Sequence, residues 1–181
     1  MPAADTPPLP APAGRSAQAV TADILTAPAT GEIRELAPGL LWTRLDLPFR
    51  LNHVNIYLLR DAAGWMILDT GIANAATEAA WTAILEGPLR GEAFAGVLVT
   101  HPHPDHIGMA GWLCARLGVP LLTSRTSYLG ARMLSAAPGL LEAPSYREFY
   151  RRHGMAPEVA EVSATQGHAY LQMLSPLPDT Y

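Results

Sequence analysis

The sequence predicts an α/β (α+β) fold, organised as one half of a two-sheet sandwich flanked by helices. Two observations lead to this prediction: residues 33–69 read as a β-meander, and residues 75–123 alternate between helix and strand patterns. The chain has 181 residues, of which 49% are hydrophobic and 15% charged. It is therefore long enough and apolar enough to bury a core of its own.

The meander consists of four short strands separated by turn signals. Between the first two strands lies Pro38-Gly39, and the sequence Asp-Ala-Ala-Gly at 61–64 separates the last two. The third strand alternates, with Val54, Ile56 and Leu58 on one face. The last strand ends at Asp69, in the sequence Leu-Asp-Thr-Gly. The predicted strands are 33–36, 40–45, 53–60 and 65–69.

The alternating half begins with a helix from Ala75 to Glu86, which Asn74 caps and Gly87-Pro88 ends. A buried strand at 97–100, a helix from Asp105 to Leu117 and a short strand at 119–123 follow. The rest of the chain has helical spacing, which predicts a helical insertion or cap over 124–181. Its predicted helices are 126–136, 144–152 and 157 to about 166, with 169–174 extending or following the last one.

Residues 100–106, Thr-His-Pro-His-Pro-Asp-His, place three of the six histidines and one carboxylate between a strand and a helix. The two prolines favour an extended backbone, so His101 and His103 point the same way and can reach one metal ion. Asp105 and His106 follow where the chain turns into the helix, and they can hold a second ion. Imidazole and carboxylate suit zinc and other first-row metals. A histidine-rich surface loop without metal is the alternative reading.

The sequence Leu-Asp-Thr-Gly at 68–71, followed about thirty residues later by the 100–106 motif, resembles the metallo-β-lactamase-fold hydrolases, including their glyoxalase II-like branch. The resemblance implies an αββα sandwich with a dinuclear site that usually holds zinc, with iron or manganese as alternatives. It implies that His101 and His103 bind one ion and that Asp105 and His106 bind the other. Asp69 is implied to support the site from behind the ligands.

The chain departs from this family after His106. The family completes its site with a further histidine, a bridging aspartate and a last histidine, whereas this chain offers only His153, His168 and Asp179. His168 is expected not to be a ligand, because no strand pattern precedes it. We therefore expect an N-terminal part of such a hydrolase. Its predicted regions are a disordered Pro/Ala-rich tail at 1–30, the first half of the sandwich at 31–123 and the helical cap at 124–181.

The predicted function is metal-dependent hydrolysis, in which a metal-bound hydroxide attacks the carbonyl of a thioester, ester, lactone or lactam. Asp105 and Asp69 are the predicted catalytic carboxylates, since Asp105 would orient the water and Asp69 a metal-bound imidazole. The alternative is a truncated, non-catalytic metal-binding fragment that needs its missing C-terminal half or a partner chain.

The expected partner is a small-molecule substrate, because charge and hydropathy argue against the other classes of partner. The net charge is −4 and no basic stripe is present, so nucleic acid is not expected. No apolar run reaches membrane-spanning length, so no membrane partner is expected either. A half sandwich would expose apolar faces, which favours a homo-oligomer. No secretory signal pattern is recognisable, so a cytoplasmic location is expected, while the single cysteine, Cys114, rules out an internal disulfide.

Overall fold

The computed structural model describes residues 26–137, 139–140, 143–164 and 167–181. Its centre is one six-stranded sheet in which the strands lie in sequence order. Most of the predicted tail lies outside the described residues, so its disorder stays a prediction. The strands are β1 (Arg34–Ala37), β2 (Leu40–Asp46), β3 (His53–Asp61), β4 (Gly64–Leu68), β5 (Phe94–Val99) and β6 (Leu121–Thr123).

The sheet changes from antiparallel to parallel pairing at β4. Strands β1 to β4 form the predicted meander, and β4, β5 and β6 then run parallel to one another. Parallel neighbours need crossover connections, and helices supply them here. Consequently the carboxyl ends of β4 and β5 meet at one edge of the sheet, which is the edge where α/β sheets bind ligands.

Seven helices lie in the described part of the chain, and the first matches its prediction at both ends. The side chain of Asn74 caps it by accepting a hydrogen bond from Thr77 N at 2.8 Å. Among the described residues, no helix has the length and hydropathy needed to cross a membrane. The helices are α1 (Ala75–Glu86), α2 (Pro104–Ile107), α3 (Ala110–Leu117), α4 (Arg125–Ala136), α5 (Pro144–Arg152), α6 (Pro157–Ala164) and α7 (Gly167–Gln172).

The two faces of the sheet differ in burial. One face packs on the helices, and its side chains form the core with Trp81 of α1 and Leu113 of α3, both fully buried. A transverse row on the other face is only partly covered. This row follows the strand register and consists of Trp42, Tyr57, Leu68, Leu98 and Leu122. The first four are half-buried and the last is exposed.

The prediction of one continuous helix over 105–117 is wrong, because the chain breaks at Gly108 and Met109 into α2 and α3. In a continuous helix Met109 N would donate to Asp105 O. Here Met109 N donates to Gly71 O at 3.0 Å, and Gly71 N donates to Asp105 O at 3.1 Å. The loop after β4 thus enters the hydrogen-bond ladder of the helix, which no local pattern foretells. Strand β5 also starts three residues earlier than predicted, since Phe94 pairs with Trp65.

Candidate metal centre

Two loops at the carboxyl edge of the sheet bring the predicted site residues together. Asp69 directly follows β4, and the 100–106 motif directly follows β5. These strands are parallel neighbours in which Leu68 lies opposite Leu98, and Asp69 N donates to Leu98 O at 2.9 Å. The two motifs therefore meet at the carboxyl edge of the sheet.

The carboxylate of Asp69 connects the two loops. Its Oδ1 accepts hydrogen bonds from Thr100 N at 2.9 Å and Thr100 Oγ1 at 3.0 Å, while its Oδ2 lies 2.8 Å from His106 Nδ1. Asp69 is 6% exposed, and it alone among the described non-glycine residues has a positive φ, of 65°. Such a backbone costs on the order of 1–3 kcal/mol and persists where surrounding contacts fix it.

Thr70 and Gly71 fasten the same loop to helix α2 and to the core. Thr70 Oγ1 donates to His106 O at 2.6 Å and accepts from Met109 N at 3.1 Å. Trp81 Nε1 donates to the Thr70 carbonyl at 2.8 Å, so helix α1 holds the loop from the core side. Gly71 has φ of 82°, a region that favours glycine. Three consecutive residues of the β4 loop, Asp69 to Gly71, are thereby fixed against the histidine motif and the start of helix α3.

The motif is extended only at His103, directly before the helix, whereas residues 100–102 form a bend. His103 is extended, with φ −67° and ψ 145°, and it directly precedes the first turn of α2. Pro104 begins that helix, where its missing N–H costs nothing. His101 therefore projects from a bend and His103 from the extended residue after it, whereas Asp105 and His106 project from the helix.

The four side chains form two donor pairs. His101 Nε2 lies 3.0 Å from His103 Nδ1, and His106 Nε2 lies 3.3 Å from Asp105 Oδ2. The ring centroids of His101 and His106 are 4.0 Å apart, so the pairs adjoin each other. Two ligands on one tetrahedral zinc, with bonds of about 2.0–2.2 Å, lie about 3.3 Å apart. Each pair therefore fits one ion in chemistry and in spacing.

The fit extends to pairs and no further within the described residues. In that part of the chain no three His, Cys, Asp or Glu side chains are arranged around one point to hold an ion. Two protein ligands per ion is fewer than the three of catalytic zinc sites and the four of structural ones. The assignment of His101, His103, Asp105 and His106 as ligands accordingly stays a prediction that the geometry supports.

The pKa values of His101 and His106 are shifted in opposite directions. Burial and the neighbouring His106 and His103 lower the pKa of His101. Burial also opposes the protonation of His106, but the hydrogen bond and negative charge of Asp69, with the charge of Asp105, outweigh it and raise the pKa of His106. A carboxylate only accepts hydrogen bonds, so Asp69 keeps a proton on His106 Nδ1. Nε2 of the neutral ring then carries a lone pair on the side of Asp105.

The other residues considered for the site lie elsewhere. His153 ends helix α5, is exposed, and has its Nδ1 2.7 Å from Phe149 O. Asp179 pairs with Arg132 at 3.5 Å. The side chain of His168 lies outside the described residues. Cys114 is buried in the core, and burial raises the pKa of its thiol to about 11, which disfavours the thiolate form that binds metal.

Two features of the site were missed by the sequence reasoning. The first is the β2–β3 turn: since Asp46 pairs with His53 and Tyr57 pairs with Leu68, this turn extends past the end of β4 towards the site edge. Its side chains include Phe49, 47% exposed, and Leu51, 64% exposed. Two large apolar residues in a predicted turn were the available signal.

The second feature is the segment after α7, which packs against the β4 loop and the junction between α2 and α3. Ala73 N donates to Met173 O at 2.8 Å, and Ser175 N donates to Gly108 O at 2.7 Å. The sequence carries no signal for this packing, because each contact joins residues far apart in the chain.

Comparison with known proteins gives a family match and a structural match. The sequence profile of the Metallo-beta-lactamase superfamily matches residues 50–168. A beta-lactamase domain protein from Burkholderia ambifaria is 35% identical with a TM-score of 0.68, over 86% of this chain and 43% of that one. A metallo-beta-lactamase family protein from Thermus thermophilus is 24% identical with a TM-score of 0.59, over 81% of this chain and 46% of that one. The chain thus spans less than half the length of either. No match was found among curated proteins.

Proposed function

Because the chain belongs to the metallo-beta-lactamase superfamily, we propose that it supplies the metal-binding half of a metal-dependent hydrolase. One observation carries this proposal. The candidate ligand atoms lie in two adjacent pairs, His101 Nε2 with His103 Nδ1 at 3.0 Å and His106 Nε2 with Asp105 Oδ2 at 3.3 Å. The Asp69 carboxylate is hydrogen-bonded to the other ring nitrogen of His106. Family membership alone supports hydrolysis in general terms.

The four proposed ligands would bind two ions, which are zinc or, alternatively, iron or manganese. His101 and His103 would hold one ion, and Asp105 and His106 the other. When bound, the metal supplies Lewis acidity that activates water and polarises a substrate carbonyl. Asp69 fixes His106 with its proton on Nδ1, so that Nε2 stays available to the metal.

Asp105 has a second role, which is to orient the attacking water. Its carboxylate can serve both roles because a single bond to metal leaves further lone pairs free to accept hydrogen bonds. The side chain is 21% exposed, so it is accessible to solvent from the site edge. An oxygen of this carboxylate that does not bind metal can accept a hydrogen bond from the attacking water and orient it. No serine or cysteine nucleophile is required in this mechanism.

The proposed substrate is a small molecule with a thioester, ester, lactone or lactam carbonyl, as in the glyoxalase II-like branch. The exposed Phe49 and Leu51 of the β2–β3 turn support an apolar group next to that carbonyl. A net charge of −4 argues against nucleic acid as the substrate. A cytoplasmic location and the absence of a membrane partner belong to the same proposal.

The test compares His103→Ala with His153→Ala, a matched loss of another exposed histidine. Zinc content would be measured by atomic absorption after dialysis, and turnover on a panel of one thioester, one lactone, one phenyl ester and one cephalosporin. We expect His103→Ala to lose zinc and turnover together, because one donor of a two-donor pair is gone, and His153→Ala to keep both. Hydrolysis retained by His103→Ala would refute the proposal.

A second candidate is a non-catalytic metal-binding fragment that works only with a C-terminal half or a partner chain. Two observations are compatible with it: the described residues supply two ligands per ion, and the chain spans 43% of the length of the Burkholderia relative. Size-exclusion chromatography with zinc stoichiometry separates the two candidates. Two tightly bound ions on a monomer that turns over substrate support the hydrolase. Weak binding on an associating chain without turnover supports the fragment.

A further inference from the structure

At the junction between helices α2 and α3, two hydrogen bonds that a continuous helix would contain are replaced by contacts from distant segments. One missing bond is that from Met109 N to Asp105 O. Gly71 replaces it, because its carbonyl accepts from Met109 N and its N–H donates to Asp105 O. The other is the bond from Trp112 N to Gly108 O, which a continuous helix would also contain. Since α2 carries two of the proposed metal ligands, the groups that occupy this second gap set the direction of the ligand-bearing helix.

Ser175 occupies the second gap. Its Oγ accepts a hydrogen bond from Trp112 N at 3.2 Å and donates one to Gly108 O at 2.7 Å. Its own backbone N donates to the same Gly108 carbonyl at 2.7 Å. The residue at the N-cap of α3, Met109, provides no side-chain cap. Ser175 therefore caps α3 from a position 63 residues away in the chain.

The segment that carries Ser175, residues 173–178, is anchored at both ends, and we call it the strap. At its start, Met173 O accepts a hydrogen bond from Ala73 N, in the loop that follows Asp69. At its end, Pro178 O accepts one from the Tyr128 hydroxyl of α4 at 2.8 Å. The strap thus contacts the β4 loop and the α2–α3 junction as well as the helical region.

Two glycines leave the space through which the strap passes. A β-carbon at Gly111 would overlap the Pro176 carbonyl oxygen. A β-carbon at Gly108 would lie 2.6 Å from the Met173 oxygen. Neither glycine has a positive φ, so close approach of backbone to backbone accounts for both. The strap is therefore packed directly on the main chain of the helix junction.

We infer that Ser175 is a positioning residue for the metal centre. By filling the gap between Gly108 and Trp112, its hydroxyl keeps α2 and α3 as separate helices. This holds α2 at the angle at which His106 meets Asp69 and Asp105 faces His106. The inference rests on the proposed metal binding, since positioning the ligands matters only if they bind an ion. Ser175 itself touches neither substrate nor metal in this assignment.

The experiment uses the full chain with Ser175→Ala, and with Ser135→Ala as the matched control. Ser135 Oγ donates to Ala131 O at 2.8 Å within α4, so the control removes another serine hydroxyl that donates to a backbone carbonyl, at an exposed position away from the helix junction. Three signals are measured: amide exchange at Trp112, the His106 Nδ1 proton resonance in the metal-free chain, and the d–d absorption spectrum during cobalt(II) titration. Amide exchange along β3 reports in the same experiment whether the fold is intact.

In Ser175→Ala we expect exchange at Trp112 to speed up about tenfold, as for a lost helix cap. We also expect a weakened His106 Nδ1 proton signal, and a cobalt dissociation constant raised about tenfold with an altered d–d spectrum. The Ser135→Ala control should leave all three unchanged.

Faster exchange at Trp112 with unchanged cobalt binding and an unchanged His106 signal would reduce Ser175 to a structural cap and overturn the inference. Loss of protection along β3 as well would overturn it too, because Ser175 would then stabilise the whole fold. If the unaltered chain binds no cobalt, the proposed function fails by itself. The His106 signal in the metal-free chain then decides whether Ser175 positions that side chain.

Discussion

Replacing Asp69 by Asn is the sharpest single perturbation of this site. Asn has nearly the same shape and tolerates a positive φ, so the backbone at 65° can be kept. Its oxygen can continue to accept from Thr100 N. Its amide group, however, is a donor where the carboxylate presented Oδ2 to His106 Nδ1 at 2.8 Å. The substitution therefore reverses one hydrogen bond and leaves the rest of the loop in place.

The expected magnitude follows from that one reversed bond. An amide donor facing Nδ1 favours the His106 form with its proton on Nε2, the nitrogen that faces Asp105 at 3.3 Å. Metal binding at this pair then requires the proton to move, and loss of such a supporting partner typically weakens metal affinity about 10–100-fold. The metal-free chain should also lose about 1.5–3 kcal/mol of unfolding free energy, the range for hydrogen bonds to charged groups.

The assay is competition of the chain with a chelator for zinc, together with urea unfolding of the metal-free form. The control is Asp61→Asn, since Asp61 Oδ1 accepts from Ala62 N at an exposed turn on the opposite edge of the sheet. We expect the control to match the unaltered chain in both measurements. Zinc affinity of Asp69→Asn within threefold of the unaltered chain would refute the reasoning, because the tautomer would then not govern the site.

Three further outcomes are expected. Thr43→Val should raise the unfolding free energy by about 1 kcal/mol in urea titrations, because the Thr43 hydroxyl is fully buried and has no hydrogen-bond partner among the described residues. Gly111→Ala should lower it by about 1–3 kcal/mol, since the added carbon overlaps the strap; an unchanged midpoint would contradict this packing. In the metal-free chain, His106→Gln should cost more stability in acid than in base. The raised pKa of His106 makes its contribution complete below the ordinary value of 6.5, and that contribution is lost as the pH rises through the folded-state pKa.

The edge of the sheet that carries the site could be predicted from local patterns. The alternation of β3, the apolar strand before residue 100 and the capped helix at 75–86 fix the order of elements, and parallel crossovers place both motifs at one edge. The extended His103 follows from the steric restriction that proline places on its neighbours. These inferences succeed because each depends on residues close together in the chain.

The break between α2 and α3 could not be predicted in the same way. Residues 105–117 have helical spacing and no internal proline, so local energetics favour one helix. The break arises because Gly71 and Ser175 replace ladder bonds of that helix, and both come from distant parts of the chain. The positive φ of Asp69 has the same origin, since Thr100 and His106 hold its carboxylate from across the sheet edge.

The incomplete ligand sets of the two proposed ions lie next to the partly covered row of the sheet. Each proposed ion has two ligands among the described residues, and the sheet row from Trp42 to Leu122 is only partly covered on the same sheet. Asp69 follows Leu68 of that row, and the 100–106 motif begins two residues after Leu98, so polypeptide packed over the row would adjoin the ligands. Metal affinity and fold stability should therefore rise together when that face is covered. This coupling connects the two candidate functions, because they differ in whether the covering segment is present when the metal binds.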